Sequence, residues 1–285
     1  MDVPVTVVLP TYNAGSRFRE CAEVLTKQSA NITKVLVIDS SSDDETVNIA
    51  KDFGFQVEII PRSGFGHGKT RQYALEKAQT EIVVFMTQDA LLKDDNAVQK
   101  LVEFLISDND LAAVYGRQLP YPHTGPLGSF ARLYNYPDHS FVNTFQDRKK
   151  KGIKTAFLSD SFAAYKKSLL LGIGGFPKHV NFGEDTYAAA KLLMAGHKTG
   201  YCAEAMVYHA HDYSLKQEFL RCRQIGQFHK EEAWLLETFG KAEGEGLRYI
   251  MQEASWLMRS NGVFQVVIAF IHNIVKFLAY KTASI

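Results

Sequence analysis

The sequence has few cysteines, no excess of charge of either sign, and little proline outside one segment. Its three cysteines, Cys21, Cys202 and Cys222, are an odd number and widely spaced. This argues against a secreted disulfide scaffold and favours a reducing compartment, so we expect a cytoplasmic protein. Lys and Arg total 32 against 31 Asp and Glu, a formal net charge of +1. We therefore expect no nucleic-acid partner, because no global basic field is available to hold a phosphate backbone.

Membrane-targeting patterns are also missing. Residues 1–10 enter an apolar strand pattern without a basic segment or a cleavage site, so we expect no signal peptide. Residues 263–280 are apolar, but Gln265, His272, Asn273 and Lys276 interrupt them before about 20 clean residues accumulate. We therefore expect that these residues do not span a membrane.

The sequence does contain 46% hydrophobic residues in a chain of 285, enough for one large domain or two small ones. Runs rich in Val and Ile predict buried strands at residues 5–9, 34–38, 56–60 and 81–86. Helical spacing of apolar residues predicts helices at 18–28, 45–53 and 69–78. Such alternation predicts an α/β fold, a mostly parallel sheet flanked by helices, with ligands at the C-terminal strand ends.

The pattern loosens after residue 105. Residues 116–158 hold four prolines and the basic run 148–151, and they predict a long irregular loop. Residues 186–195 predict a helix, residues 207–208 a last strand, and residues 215–285 an almost wholly helical segment. We therefore expect one domain over residues 1–214 and a C-terminal helical extension over residues 215–285.

The predicted strands end in polar residues. Asp39 places a carboxylate at the tip of the second strand, where it can accept from a base N–H or a ribose hydroxyl. A glycine-rich turn at residues 64–71 opens a helix with Lys69 and Arg71 in its first turn, a geometry that suits a diphosphate. A phosphate-loop NTPase is an alternative, but its motif needs glycine where Ser63 stands and normally follows the first strand.

Acidic and imidazole side chains supply candidates for metal binding and proton transfer. Asp89 ends the fourth strand, where one carboxylate can help to hold a divalent cation that bridges phosphates. His209 and His211 lie on one face of an extended segment, as a further ligand or as a surface pair. Glu184 and Asp185 begin a helix, where acids are favoured regardless of function, but the second carboxylate is free to act as a general base.

In this order, the segments resemble the family-2 glycosyltransferases, which have the GT-A fold. The resemblance covers roughly the first three quarters of the chain, about one large domain. It rests on an ordered set of short motifs at residues 10–13, 38–41, 66–71, 87–89, 174–176 and 184–185, and at His209.

The resemblance implies roles for individual residues. Asp39 would contact the nucleotide base, residues 10–13 would wrap the base and ribose, and Lys69 or Arg71 would neutralise the diphosphate. The implied nucleotide-sugar-binding residues are Pro10, Thr11, Tyr12, Asn13, Asp39, Ser41, Gly66, Lys69, Arg71, Gln88 and Asp89.

The resemblance also implies a metal site and a catalytic pair. Asp89 and His209 would hold Mg²⁺ or Mn²⁺, although Thr87 stands where the family has the first acid of its metal motif. Asp185, with Glu184 beside it, would deprotonate an acceptor hydroxyl for one in-line displacement that inverts the anomeric configuration.

Residues 87–90 resemble the bacterial rhamnosyltransferases of this family that build cell-surface polysaccharide. This implies dTDP-β-L-rhamnose as the donor and, as the acceptor, a growing glycan or a sugar on a polyprenyl diphosphate. The basic run 149–151 with Lys154 would meet anionic headgroups or form a solvated loop. A UDP-sugar donor, a phosphate-loop NTPase and a non-catalytic nucleotide- or glycan-binding module are the alternatives.

The last predicted helix carries one narrow polar stripe, Gln265, His272 and Lys276, on an otherwise apolar surface. Such a helix needs a partner surface, which could be its own domain, a second subunit or a bilayer interface. We expect peripheral association with the inner face of the plasma membrane, or a homodimer, through the C-terminal helices.

Overall fold

The computed structural model describes residues 3–260 and 262–284, and these residues form two compact units. The first unit comprises the described residues up to 118 together with 138–145 and 156–209. The second comprises 119–137, 146–155 and the described residues from 210 onward. The C-terminal helices therefore share their unit with two segments from the middle of the chain.

The strands form one nine-stranded sheet. They are β1 (Val5–Thr11), β2 (Ile32–Asp39), β3 (Gln56–Ile59), β4 (Ile82–Met86), β5 (Leu91–Leu92), β6 (Leu111–Leu119), β7 (Phe141–Asn143), β8 (Phe162–Lys166) and β9 (Lys198–Tyr208). Their order is β3-β2-β1-β4-β8-β6-β9-β5, and β7 pairs with β9.

The sheet is mixed. Strands β1 to β4 are parallel, as the sequence predicts, with Pro10 opposite Ile38 and Thr11 opposite Asp39. Strand β8 runs antiparallel to both β4 and β6, and β9 is antiparallel to β5 and β7. The prediction of a mostly parallel sheet is therefore correct for the first four strands and wrong for the remainder.

The helices, in chain order, are α1 (Arg17–Thr26), α2 (Thr46–Asp52), α3 (His67–Lys77), α4 (Ala97–Ile106), α5 (Pro126–Asn135), α6 (Arg148–Lys151), α7 (Lys167–Gly172), α8 (Glu184–Met194), α9 (Leu215–Glu231), α10 (Trp234–Phe239), α11 (Glu245–Ser260) and α12 (Val263–Ser284). Residues 116–158, predicted to be an irregular loop, contain α5, α6, β7 and the end of β6. Pro126 begins α5, where a proline costs no helical hydrogen bond.

The core of the first unit explains why the early strands form. All five residues of β4 are buried, and in β1 the side chains of Val5, Val7 and Leu9 join one hydrophobic cluster. Helix α4 contributes Val98, Leu101 and Leu105 to the same cluster, at the spacing of one helix face. Each such buried side chain contributes about 1.5–3 kcal/mol relative to exposure.

Helix α3 is held against the chain that leads to α8. At Gly68 an added Cβ would lie 2.0 Å from the carbonyl oxygen of Pro177, so only glycine permits this approach. The buried Gln72 side chain accepts a hydrogen bond from the N–H of Phe176 (2.8 Å). These contacts fix the start of α3 relative to the segment before α8.

In the second unit, α12 packs along α9 and against α11. At Gly226 of α9 an added Cβ would lie 2.6 Å from the carbonyl oxygen of Tyr280, which shows how closely α9 and α12 cross. Ser214 and Gln217 form a capping box at the start of α9.

The polar side of α12 faces its neighbouring helices. Lys276 Nζ lies 3.6 Å from Glu218 Oε1 of α9, and Asn273 Nδ2 donates to Glu253 Oε2 of α11 at 2.6 Å. The exposed residues between 263 and 278 are all apolar: Val263, Phe264, Val267, Phe270, Ile271, Ile274, Phe277 and Leu278.

By length and composition alone, residues 263–283 could cross a membrane, and only 11% of this stretch is buried. The four predicted interruptions do not exclude it, because Gln265, His272 and Asn273 carry no formal charge when the imidazole is neutral, and Lys276 is the single charged residue among residues 263–280. Core helices of soluble proteins can have the same length and composition.

Candidate active site

The segments that follow β1 and β2 are joined by hydrogen bonds. The N–H of Asn13 donates to Ser42 Oγ (2.9 Å), and the N–H of Asp43 donates to Asn13 Oδ1 (3.0 Å). Asn13 and Ser41 have φ angles of 42° and 58°, a backbone region that costs a residue other than glycine about 1–3 kcal/mol. Ser41 Oγ also donates to the carbonyl oxygen of Ile60 (2.8 Å). The edge of the sheet where a nucleotide is expected is thus formed by two loops that hydrogen bonds hold together.

Asp39 lies at the centre of this edge and is fully buried. Its carboxylate accepts from the Thr11 hydroxyl (2.8 Å) and from the N–H and hydroxyl of Ser42 (2.8 and 2.6 Å). A carboxylate offers about four lone-pair sites, so these bonds use most of its capacity. Asp39 therefore ties β1 to the loop after β2, with one acceptor site on Oδ1 left by these contacts.

Tyr12 and Gln88 connect the end of β1 to the end of β4. The N–H of Tyr12 donates to Gln88 Oε1 (2.7 Å), and Gln88 Nε2 donates to the Tyr12 carbonyl oxygen (3.1 Å). The Arg62 guanidinium lies 4.4 Å from the centre of the Tyr12 ring. Pro10, in β1 shortly before Tyr12, is half-buried. The Gln88 side chain is therefore bonded to the backbone of Tyr12. The Tyr12 ring has the Arg62 guanidinium over one of its faces.

The glycine-rich turn separates its two predicted cations. Gly66 is the buried N-cap residue of α3, where an added Cβ would lie 3.0 Å from Asn181 Oδ1. Lys69 is exposed in the first turn. The Arg71 side chain is only 4% exposed and points into the protein. Of the two, only Lys69 is available for a diphosphate at the surface, so the geometry does not support a direct diphosphate contact by Arg71.

Arg71 instead meets two acids. Its Nη1 lies 2.8 Å from Glu184 Oε1, and its Nε lies 2.9 Å from Asp160 Oδ2. The side chains of Glu184 and Asp160 are 7% and 2% exposed. Glu184 is therefore held in a buried ion pair and is not open to a substrate.

Asp185 is the more accessible acid of the predicted pair and is half-buried at the start of α8. Its Oδ1 accepts from the N–H of Thr186 (2.7 Å), and its Oδ2 lies 3.4 Å from the N–H of Asp160. Burial, followed by the charges of Glu184 and Asp160, raises the pKa of Asp185 well above the ordinary aspartate value. A carboxylate with a raised pKa is a stronger base and is suited to proton abstraction near neutral pH.

Asp89 and His209 form a second polar centre. Asp89 Oδ1 lies 3.4 Å from His209 Nε2, and the Asp89 side chain is 40% exposed. On the other side of the ring, His209 Nδ1 lies 2.9 Å from Gln118 Oε1, while Gln118 Nε2 donates to Ser159 Oγ (2.9 Å). Because an amide oxygen can only accept, Nδ1 donates to Gln118, so in the neutral ring it is Nε2 that turns its lone pair toward Asp89.

This arrangement fits a divalent cation. In the neutral ring, Asp89 Oδ1 and His209 Nε2 are two acceptors facing each other, a repulsive contact that a shared cation would remove. A metal-binding histidine usually donates a hydrogen bond from its other ring nitrogen, as His209 Nδ1 does to Gln118 Oε1. Two protein ligands leave positions for phosphate oxygens and water, which is typical of cations that bridge a diphosphate. His211, the other predicted imidazole, belongs to the second unit.

Sequence reasoning missed Asp160, Gln118 and Ser159. Asp160 and Ser159 follow the stretch predicted to be an irregular loop, and Gln118 lies near the end of an unpredicted strand. None has a local motif, and their roles arise only from contacts across the sheet. The run of strand residues that begins at Phe162 is the one local signal that could have drawn attention to this segment.

Comparisons with known proteins agree with this geometry. The model of glycosyl transferase family 2 matches residues 6–174. The chain is 42% identical over 278 residues to the O-antigen chain rhamnosyltransferase WbaN of Salmonella anatum, covering 97% of this chain and 88% of that protein. It is equally similar, at 42% over 279 residues with the same coverage, to the O-antigen chain rhamnosyltransferase RfbN of Salmonella typhimurium.

Solved structures match the fold. The mannosyltransferase PcManGT from Pyrobaculum calidifontis, in complex with GDP-Man and Mn²⁺, superposes with a TM-score of 0.62 at 21% identity, covering 98% of this chain and 82% of that one. TarS 1–349 from S. aureus, in complex with UDP, has a TM-score of 0.57 at 18% identity, covering 99% and 90%. The expected GT-A fold is thereby confirmed, and the extent of the family match shows that the chain belongs to glycosyl transferase family 2.

Proposed function

We propose that this protein is an inverting rhamnosyltransferase that moves L-rhamnose from dTDP-β-L-rhamnose to a hydroxyl of a cell-surface polysaccharide under construction. The observation that carries the proposal is the 42% identity to two O-antigen chain rhamnosyltransferases over 97% of the chain. The acceptor would be a growing glycan or a sugar on a polyprenyl diphosphate. The reaction would take place in the cytoplasm.

The donor would bind along the strand edge of the first unit. The Tyr12 ring would stack on the thymine or the ribose, and the loop of Asn13 and Ser41 would enclose them. Asp39 holds the loop after β2 in place, and its remaining Oδ1 acceptor site would accept a hydrogen bond from a base N–H. Exposed Lys69, in the first turn of α3, would pair with the diphosphate.

Asp89 and His209 would hold a divalent cation, whose chemistry is to neutralise the charge that develops on the departing dTDP. The imidazole ligand departs from the all-oxygen coordination that Mg²⁺ usually takes, so we favour Mn²⁺. Gln118 keeps His209 in the tautomer that can bind it.

Asp185 would accept the proton of the acceptor hydroxyl. As the acceptor oxygen forms its bond to the anomeric carbon, the bond from that carbon to the phosphate oxygen breaks, and dTDP leaves with the electron pair. One such displacement inverts the anomeric centre. Glu184, buried against Arg71, would not touch the acceptor.

A thermal-shift titration with dTDP, UDP, GDP and ATP, each with and without Mn²⁺, tests this proposal. We expect Mn²⁺-dependent stabilisation by dTDP, about 2.7 kcal/mol at a hundredfold excess over the dissociation constant. Stronger stabilisation by UDP or GDP would leave the assignment as a glycosyltransferase intact but indicate a different sugar donor. Stabilisation by ATP alone would point to a phosphate-loop NTPase and contradict the roles of Asp89 and Asp185. Binding of dTDP without turnover on any sugar donor would favour a non-catalytic module.

We further propose that the outer face of α12 lies on the cytoplasmic membrane surface. Lys276 and Asn273 bond inward to α9 and α11, and every exposed residue of α12 between 263 and 278 is apolar. Lys149, Lys150 and Lys151 are exposed in the same unit and would favour anionic lipids, whereas Lys154 pairs with Glu245.

The double variant Phe270→Asp with Ile274→Asp should abolish binding to anionic lipid vesicles. Both side chains are exposed, at 59% and 44%. Each large apolar side chain removed from water contributes about 1.5 kcal/mol or more, so the pair should lower partitioning by about 100-fold. Vesicle flotation measures this, and light scattering reports the oligomeric state.

Leu171→Asp is the matched control, since Leu171 is an exposed apolar residue of α7 in the first unit. It should leave flotation unchanged. If the wild type is a dimer that does not bind vesicles, and the double variant is a monomer, then the apolar face of α12 is a subunit interface and the membrane proposal fails.

A further inference from the structure

A buried charge cluster lies behind the proposed base. Arg71 of α3 pairs with both Glu184 and Asp160, and none of these three side chains is more than 7% exposed. Asp160 also accepts a hydrogen bond from the hydroxyl of Tyr165 (2.6 Å). The backbone N–H of Asp160 faces Asp185 Oδ2 at 3.4 Å, which connects the cluster to the half-buried carboxyl.

The charges in this cluster do not balance if every acid is ionised. The facing groups are His67 and Arg71 from α3, Asp160 and Tyr165 from the segment at β8, and Glu184 and Asp185 from α8. Three carboxylates face one guanidinium. His67 supplies no second full charge at neutral pH, because burial lowers the pKa of its imidazole. Like charges repel strongly away from water, so as the pH falls the three acids should take up a shared first proton well above the pH at which an isolated aspartate titrates.

The ion pairs decide which acid holds that proton. Glu184 and Asp160 each have an Arg71 nitrogen within 2.9 Å, which favours their ionised forms. Asp185 has no ion pair with Arg71 within 4.0 Å among the described residues, and it lies at the more open edge of the cluster. Since the three acids interact, their titrations belong to the group and not to one residue alone.

We propose that Arg71 is a positioning residue for sugar transfer and not a ligand of the donor diphosphate: by pairing with Glu184 and Asp160 it keeps both ionised and assigns the shared proton to Asp185. Asp185, deprotonated at the start of each cycle, takes up the proton of the acceptor hydroxyl as the sugar is transferred and then releases it to solvent. The inference rests on the proposed function, in which Asp185 is the base.

The test is the pH dependence of turnover in two variants with opposite charge changes. Asp160→Asn removes a negative charge near Asp185, so the acid limb of the kcat profile should move to lower pH. Arg71→Met removes the positive charge, so the limb should move to higher pH. Neighbouring charges of this kind shift an aspartate by about one to three pH units. In both variants the KM for dTDP-β-L-rhamnose should stay at the wild-type value.

Arg71→Lys replaces Arg71→Met in this test if the methionine variant does not fold. Lysine keeps the positive charge but lacks the planar guanidinium that pairs with both acids at once. It should lower kcat and move the acid limb without changing the donor KM. A raised donor KM with an unmoved acid limb, in either Arg71 variant, would overturn the proposal and make Arg71 a diphosphate ligand. An unmoved limb in Asp160→Asn would overturn it as well.

A titration of the Asp185 side-chain carbon by ¹³C NMR separates this inference from the proposed function. It follows the proton without turnover, in the wild type and in both charge variants. If no donor is turned over but the Asp185 titration moves in the two opposite directions, the proposed transfer fails and the proton assignment stands. If turnover is observed and the titration does not move, the proton assignment fails alone.

Discussion

Asp185→Asn is expected to abolish sugar transfer while leaving dTDP affinity unchanged. An amide has nearly the shape of a carboxyl, and its oxygen can still accept from the N–H of Thr186. It cannot take up the acceptor proton, however, and loss of a general base typically costs about 10²–10⁴-fold in rate. The measurement is kcat with dTDP-β-L-rhamnose beside the dissociation constant of dTDP.

The pH profile gives this variant a second signature. A base works only when it is deprotonated, and the pKa of Asp185 is raised, so wild-type activity should fall with decreasing pH well before an ordinary aspartate would titrate. In Asp185→Asn the residual rate should lack this acid limb. Asp52→Asn is the control, because Asp52 is a surface acid 3.4 Å from Arg19 and contributes little. Wild-type turnover in Asp185→Asn would remove Asp185 from the mechanism.

Asp89→Ala is expected to remove the Mn²⁺ dependence of dTDP binding. It deletes one of the two proposed protein ligands and leaves His209 Nε2 without its facing carboxylate. Changes around a metal ligand typically cost 10–100-fold in affinity, and loss of the ligand itself should cost at least about that much. Isothermal titration with dTDP at fixed Mn²⁺ measures the effect, and the same titration in chelator should show wild type and variant alike.

Asp110→Ala is the matched control for this experiment. Asp110 is 66% exposed and lies 3.3 Å from Lys198, so its removal should change neither titration. If Asp89→Ala binds dTDP as tightly as the wild type in Mn²⁺, the metal assignment to Asp89 and His209 is wrong.

The parallel half of the sheet could be predicted because its signals are local. Strand β4 is a continuous apolar run and β1 is one interrupted only by Thr6, and strands buried on both faces give runs of this kind. The antiparallel half could not. Strand β8 reads Phe-Ala-Ala-Tyr-Lys, with two alanines of low strand preference, and it forms because β4 and β6 pair with it from distant parts of the chain.

The candidate site divides in the same way. The positions of Asp39, Asp89 and Asp185 in the fold could be predicted, because strand ends and a helix start have recognisable local patterns. The inward orientation of the Arg71 side chain could not be predicted, since a cation in the first turn of a helix can face outward like Lys69 or inward like Arg71. Its inward position depends on Asp160, which is 89 residues away in the chain and has no motif of its own. The polar stripe of α12 was predictable, whereas its inward orientation depends on α9 and α11.

The central claim is turnover of a dTDP-sugar at the site of Asp89 and Asp185. Its most direct measurement is the chromatographic detection of dTDP released from dTDP-β-L-rhamnose by the purified protein in the presence of a polyprenyl-diphosphate-linked glycan acceptor, with UDP-glucose and GDP-mannose as alternative donors. The account predicts Mn²⁺-dependent release from dTDP-β-L-rhamnose alone, and its loss in Asp185→Asn and Asp89→Ala. Release from UDP-glucose or GDP-mannose instead, or undiminished release by both variants, would contradict it.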